Sequence, residues 1–424
     1  MLRDCGDLDM SFNSNSLTIS RPSYRFWVIV VTLGIASLCA LLSLFAEASV
    51  AVFWLVGLAF GVTVQRSRFC FTSAFRDFFL LGQVRVLKGI LAGLAVSTIG
   101  FVVIMSMSSP NPAFGSPPSD ANILPVGLST LIAGTLFGIG MVLAGGCVSG
   151  SLYRMGEGYV ASWVAILGVI TGLFFLNQTW NWWWDNLISR ETPVWLPAEF
   201  TYTGAMIITT IGLLAILYVS VWKERKVSAG FTMPQIKKLT SDSQPTNSIS
   251  EIFSYVKRAF SKEWNPITGG IILGLLNILL FIRFHPLGVV GEISRWSTSL
   301  SNSLGIPTPH LEGMDLLGAC APILAEGASW FTEGFFLNTG IVAGAFCSAV
   351  FAREFKLRIP KSPIRYVQSM VGGIVMGYGA GLGLGCTLGA FFSAIPSLAL
   401  NGWVYAVGLT IGAYISVQWL KKFS

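Results

Sequence analysis

Long apolar stretches recur along the chain, separated by short polar or charged loops, and most approach the roughly 20 residues a helix needs to cross a bilayer core about 30 Å thick. The clearest lie near residues 26–46, 86–106, 125–147, 159–178, 203–222, 266–284, 334–352, 367–386 and 398–419. Residues 50–82 and 313–330 are also apolar or rich in small residues, yet they carry charge or proline, as at Arg66, Arg68, Pro322 and Glu326. Irregular backbone is tolerated at membrane depth only where protein buries it or it lines a wet cavity, so these two stretches read as broken or re-entrant. The pattern predicts an all-α polytopic membrane bundle of about nine or ten hydrophobic segments.

Composition agrees. Of 424 residues only 11% are charged, against about 25% in soluble domains. The N-terminal 25 residues read as a polar tail and not a signal peptide, lacking a basic stretch followed at once by a short apolar core. The net charge of +7 gathers in loops beside apolar segments, which positive-inside placement explains without a nucleic-acid partner. Residues 223–264 form a basic linker with Lys223, Arg225, Lys226, Lys257 and Arg258. It divides a first membrane half (26–222) from a second (265–424). The charge rule places the N-terminus, linker and C-terminus in the cytoplasm and the protein in the cytoplasmic (inner) membrane. The linker is a solvated loop or a dock for anionic lipid or a cytoplasmic protein.

The halves share motifs. GIGMVLAGGCVSGSLYR from Gly138 aligns with GYGAGLGLGCTLGAFFS from Gly377, setting Cys147 against Cys386, with Trp163 and Trp403 following one residue out of register. RFCFTSAFRD (Arg68–Asp77) resembles AFCSAVFARE (Ala345–Glu354), setting Cys70 against Cys347. The longer interval in the first half holds one additional apolar crossing, which reverses direction. The glycine-cysteine elements are therefore expected as two inverted pseudo-repeats, an arrangement that places a substrate at the midplane.

The glycines Gly145, Gly146, Gly150, Gly383, Gly385 and Gly389 have two readings: close helix packing, or a helix break that turns backbone N–H groups toward an anion. A lone membrane cysteine is usually a small buried hydrophobe, which suits Cys39; Cys5 belongs to the tail, and Cys320 is unassigned. Cys70, Cys147, Cys347 and Cys386 recur in pairs and are the candidates for a substrate path. Arg66 and Arg68 read as anion-attracting groups or as snorkelling interface anchors, with Arg76 and Arg353 as structural partners of Asp77 and Glu354. The tract Trp180–Trp184 suits an interface belt. His285 and His310 are isolated, and no metal, nucleotide, cofactor or catalytic motif is present.

The segments QRSRFCFTSAFRD, FGIGMVLAGGCVSGSLYR, HLEGMD, KLRIPKSPIRYVQSMVGG and GLGCTLGAFFSAIP resemble the YeeE/YedE family of sulphur-compound transporters, nearer the selenium-associated YedE branch. The resemblance implies an hourglass-like inverted-repeat bundle whose broken helices meet centrally, and cysteines at Cys70, Cys147 and Cys386 that contact thiosulfate by thiol-to-sulphur hydrogen bonds. Cys347, the fourth, is not general to the thiosulfate branch. The expected function is uptake of thiosulfate or a related sulphur or selenium oxyanion, without enzymatic turnover, and the cytoplasmic protein that could dock on the linker is then a sulphur-carrier protein. The competing expectations are a membrane sulphurtransferase, in which a thiolate takes the sulfane sulphur as a persulfide, and a structural subunit.

Overall fold

Apolar runs of this length satisfy their backbone internally only as helices, and the computed structural model of the chain forms them nearly throughout. It describes residues 34, 48–113, 117, 118, 120–228, 263–306, 308–314, 317 and 331–423. Apart from Gly34, the expected segment at 26–46 lies outside the described residues, as do Cys5, Cys39, Cys320, most of the linker and most of 313–330. The helices are α1 (Ala48–Ser67), α2 (Phe71–Leu80), α3 (Arg85–Ser108), α4 (Leu128–Ala144), α5 (Val148–Gly156), α6 (Val160–Asn186), α7 (Leu196–Ser228), α8 (Pro266–Phe281), α9 (Val290–Ser303), α10 (Glu333–Phe351), α11 (Ile364–Leu382) and α12 (Leu400–Phe423), with a π-helical turn at Thr387–Ser393 between the last two.

Among the described residues seven helical stretches are long and apolar enough to cross a bilayer, and α11 with the π turn, bent by 46°, makes an eighth. The stretch at 50–82 is the expected broken element, α1 and α2 interrupted at Arg68–Cys70. Local signals set several starts. Asn265 accepts the Ile267 N–H at the head of α8, with Pro266 at its first position, and Thr332 accepts the Phe335 N–H at the head of α10, as N-cap side chains do. Helix α7 lies at the periphery and turns Ile211, Leu214 and Tyr218 outward.

Each principal helix pair joins the two halves: α1 runs along α10, α3 along α8, α4 along both α11 and α12, and α6 along α11. Glycine permits these approaches. A methyl group on Gly61 would fall 2.2 Å from the Ile341 carbonyl oxygen, and one on Gly140 would fall 2.4 Å from the Met376 nitrogen. The close-packing reading of glycine therefore holds along the long helices.

The element order is a long–short–long triplet repeated four times: α1–α2–α3, α4–α5–α6, α8–α9–α10 and α11–π–α12. This order corrects one alignment made from the letters. Cys70 heads the short middle element of its triplet, whereas Cys347 lies inside the unbroken third element, α10. The position that answers Cys70 in the second half is Val289, the residue before α9. The cause is conformational: the two segments share residue types, but the chain leaves the helix before Cys70, at Arg68, and only after Cys347, at Arg353 (φ 59°).

Candidate functional site

Three cysteines stand at helix breaks, and each break has one design. Two residues before the cysteine the chain enters the left-handed region, at Arg68 (φ 52°), Gly145 (φ 78°) and Leu384 (φ 48°). The cysteine then returns to extended backbone and becomes the N-cap of a short second helix, α2 for Cys70, α5 for Cys147 and the π turn for Cys386. Glycine supplies the left-handed residue only at Gly145. Arg68 and Leu384 adopt it despite their Cβ atoms, at a cost of about 1–2 kcal/mol. The other glycines singled out in the sequence are not left-handed, and Gly150, Gly383 and Gly385 act through size, a methyl group on them falling 3.1, 2.8 and 2.8 Å from a neighbour.

At two of the breaks sulphur takes the place that oxygen usually fills at a helix start. Cys147 Sγ accepts the Gly150 N–H at 3.3 Å and lies 3.4 Å from Ser149 Oγ; Cys386 Sγ accepts the Leu388 N–H at 3.4 Å. A methyl group on Gly150 would sit 3.1 Å from Cys147 Sγ and 3.6 Å from Cys70 Sγ, so both sulphurs border this glycine and its missing side chain leaves room for them. The π turn headed by Cys386 meets the segment before α9, where Ser393 Oγ donates to the Leu287 carbonyl at 3.1 Å. Phe71 of α2 meets Phe391 and Phe392 of the π turn, with ring centroids 6.3 and 5.8 Å apart. The four breaks thus converge at one buried centre in which Cys70, Cys147 and Cys386 are free thiols.

The centre also holds groups that sequence reasoning passed over. The hydroxyls of Thr72 and Thr387 are buried without a hydrogen-bond partner of ordinary geometry, and Arg154 of α5 donates to the Gly145 carbonyl. A signal was available for the hydroxyls: each motif cysteine is followed within two positions by Thr72, Ser149 or Thr387. Cys347, buried on α10, caps no helix and ends no break.

The arginines do not both face an incoming ion. Arg66 has no exposed side-chain surface; its Nη2 pairs with Glu354 Oε2 at 2.6 Å and its Nε donates to Gln65 Oε1 at 2.7 Å. Gln65 donates in turn to Glu157 and Glu354 and receives Ser348. Arg68 is 40% exposed and is shared among Glu157, Glu354 and Glu263. Glu354 therefore receives Arg66 and Arg68, while Arg76 pairs with Asp77 as the sequence suggested. This network ties the end of α1 to α5, to the end of α10 and to the start of the second half, where the Trp264 N–H donates to the Arg66 carbonyl. Among the described residues no cluster of His, Cys, Asp and Glu is arranged to hold a metal.

A family model described as sulphur transport matches residues 66–415. The chain belongs to the sulphur-transport family. Two relatives, each named thiosulfate transporter TsuA, are similar over nearly their whole length. That of Spirochaeta thermophila is 29% identical over 370 residues, covering 86% of this chain and 97% of its own, and that of Escherichia coli is 28% identical over 372 residues, covering 86% and 92%. The probable transporter YedE of Escherichia coli is 35% identical over 158 residues, 37% of this chain and 38% of its own. The sulphur-transport family is the one the motifs resembled, and its match spans all three breaks. The relatives carry the names of transporters or of a probable transporter, and the chain is a multi-pass membrane protein.

Proposed function

We propose that the chain is a permease of the cytoplasmic membrane that takes up thiosulfate or a related sulphur or selenium oxyanion past Cys70, Cys147 and Cys386. The observation that carries the proposal is the meeting of three helix-break thiols in one buried centre. Because the sulphurs of Cys147 and Cys386 already accept backbone N–H groups, each S–H is left to donate to the soft terminal sulphur of the ion. The free hydroxyls of Thr72 and Thr387 serve its oxygens, and Arg154 contributes positive potential without an ion pair at the centre. Weak neutral donors in series favour passage over trapping, as conduction requires. Arg68, exposed where Arg66 is buried, is the cation an anion meets at the network end; with the basic loops placed inside, that end is cytoplasmic. Cys347 is set aside from the path.

A sulphurtransferase would need a reachable thiolate and an outlet for the persulfide. The three sulphurs are at most 3% exposed, which favours a conduit.

Uptake of labelled thiosulfate by reconstituted protein tests the proposal. Cys147→Ala and Cys386→Ala are expected to lose it, whereas Cys147→Ser, which keeps a helix-capping acceptor, should remain fully folded with uptake reduced. Wild-type rates in both alanine variants would remove the cysteines from the path.

A further inference from the structure

Two small cavities flank Leu384, both in the half of the bundle away from the arginine network. The first is lined by Leu173, Asn177, Trp180 and Val290 among others, and its polar groups are engaged: Asn177 donates to Thr298 and Trp180 to the Glu312 carbonyl. The second, of about 20 Å³, is lined among others by Ser129, Thr130, Gly383, Ala390, Asn401 and Tyr405. Ser129 donates to Glu191 and Thr130 to the Pro125 carbonyl. Tyr405 OH and Asn401 Oδ1, on side chains 0% and 2% exposed, have no partner. No acid or base lines this cavity.

Two unpartnered polar groups buried against one void call for a guest. The void is large enough for a water molecule, so water is the simplest occupant. Its position points further. Ala390 on its wall belongs to the π turn headed by Cys386, and Gly383 and Leu384, which lead into that cysteine, line it as well. A phenol offers one donor, and an amide, whose oxygen and nitrogen can exchange places by a flip, offers two. Donors without a fixed cation suit an anion in transit.

We propose that Tyr405 and Asn401 form an oxyanion subsite one step from the thiols, where they donate to the oxygens of the transported ion as its sulphur faces the cysteines. This rests on the permease reading. The resting cavity is smaller than a tetrahedral oxyanion, so admission requires Leu384 to move. Leu384 sits between the two cavities in the left-handed region, flanked by Gly383 and Gly385.

The test compares thiosulfate uptake by Tyr405→Phe, Asn401→Ala and wild-type protein in proteoliposomes, alongside thermal unfolding. The subsite predicts a KM raised about tenfold in each variant, the scale of one lost hydrogen bond. Asn401→Asp, which adds a negative charge at nearly constant volume, should reduce uptake further. If both neutral variants keep the wild-type KM and change only the unfolding temperature, the pair holds structural water and the subsite is refuted. Absence of uptake by wild-type protein would instead overturn the permease reading and this inference with it.

Discussion

Glu354→Gln should destabilise the protein well beyond an ordinary surface charge change. The carboxylate holds Arg66 at 2.6 Å and Arg68 at 2.9 Å and accepts Gln65 at 2.9 Å, and the Arg66 side chain has no exposed surface. Removing one partner of a buried pair typically costs about 3–5 kcal/mol because the remaining charge stays desolvated. Glu354 is itself 30% exposed and Gln65 still accepts from Arg66, which lowers the expectation to about 2–3 kcal/mol. Asp77→Asn is the comparison. The Arg76–Asp77 pair has side chains 39% and 24% exposed, and exposed pairs contribute about 0–1 kcal/mol. All four described cysteines are free and buried, so in protein carrying alanine at positions 5, 39 and 320 a thiol-reactive fluorogenic dye reports unfolding in detergent. The double variant Arg66→Met/Glu354→Gln should recover part of the loss, since replacing both charges leaves none uncompensated. A Glu354→Gln midpoint equal to that of Asp77→Asn, with no recovery in the double variant, would refute the claim that this network holds the break at Arg68 in place.

Two glycine substitutions separate strain from crowding. Gly145→Ala meets nothing closer than Arg154 at 3.9 Å, so it should cost only the left-handed penalty of about 1–2 kcal/mol, read by the same dye assay, and retain uptake. Gly61→Ala drives a methyl group to 2.2 Å from a backbone oxygen of α10; it should cost at least as much, about 1–3 kcal/mol, and lower folded yield. A smaller effect at Gly61 than at Gly145 would contradict the packing of α1 on α10.

The broken elements show how far the letters carry. Charge inside an apolar run at 50–82 indicated a break, and the glycine-cysteine motifs indicated two more, because a membrane helix tolerates such residues only where its path or surroundings change. The pairing of Cys70 with Cys347 failed for the complementary reason. Residue types recur at matching offsets whether the backbone stays helical, as at Cys347, or turns left-handed two residues earlier, as before Cys70. Arg66 and Arg68 look alike in sequence, yet one is sealed in the network and the other reaches solvent. Tyr405 and Asn401 carried no motif at all.

Run length and hydropathy by themselves determined that this chain spans a membrane many times as helices, because an unpaired backbone is untenable in lipid. The cysteine motifs pointed to Cys70, Cys147 and Cys386, while the hydroxyls of Thr72 and Thr387 beside them gained meaning only from their burial. Only the tertiary structure decided which cysteines meet and which arginine is spent on structure: those outcomes depend on partners hundreds of residues away, such as Glu354, 288 positions beyond Arg66. They depend equally on backbone angles that adjacent letters do not encode, since Gly145, Leu384 and Arg68 make the same turn with three unlike side chains.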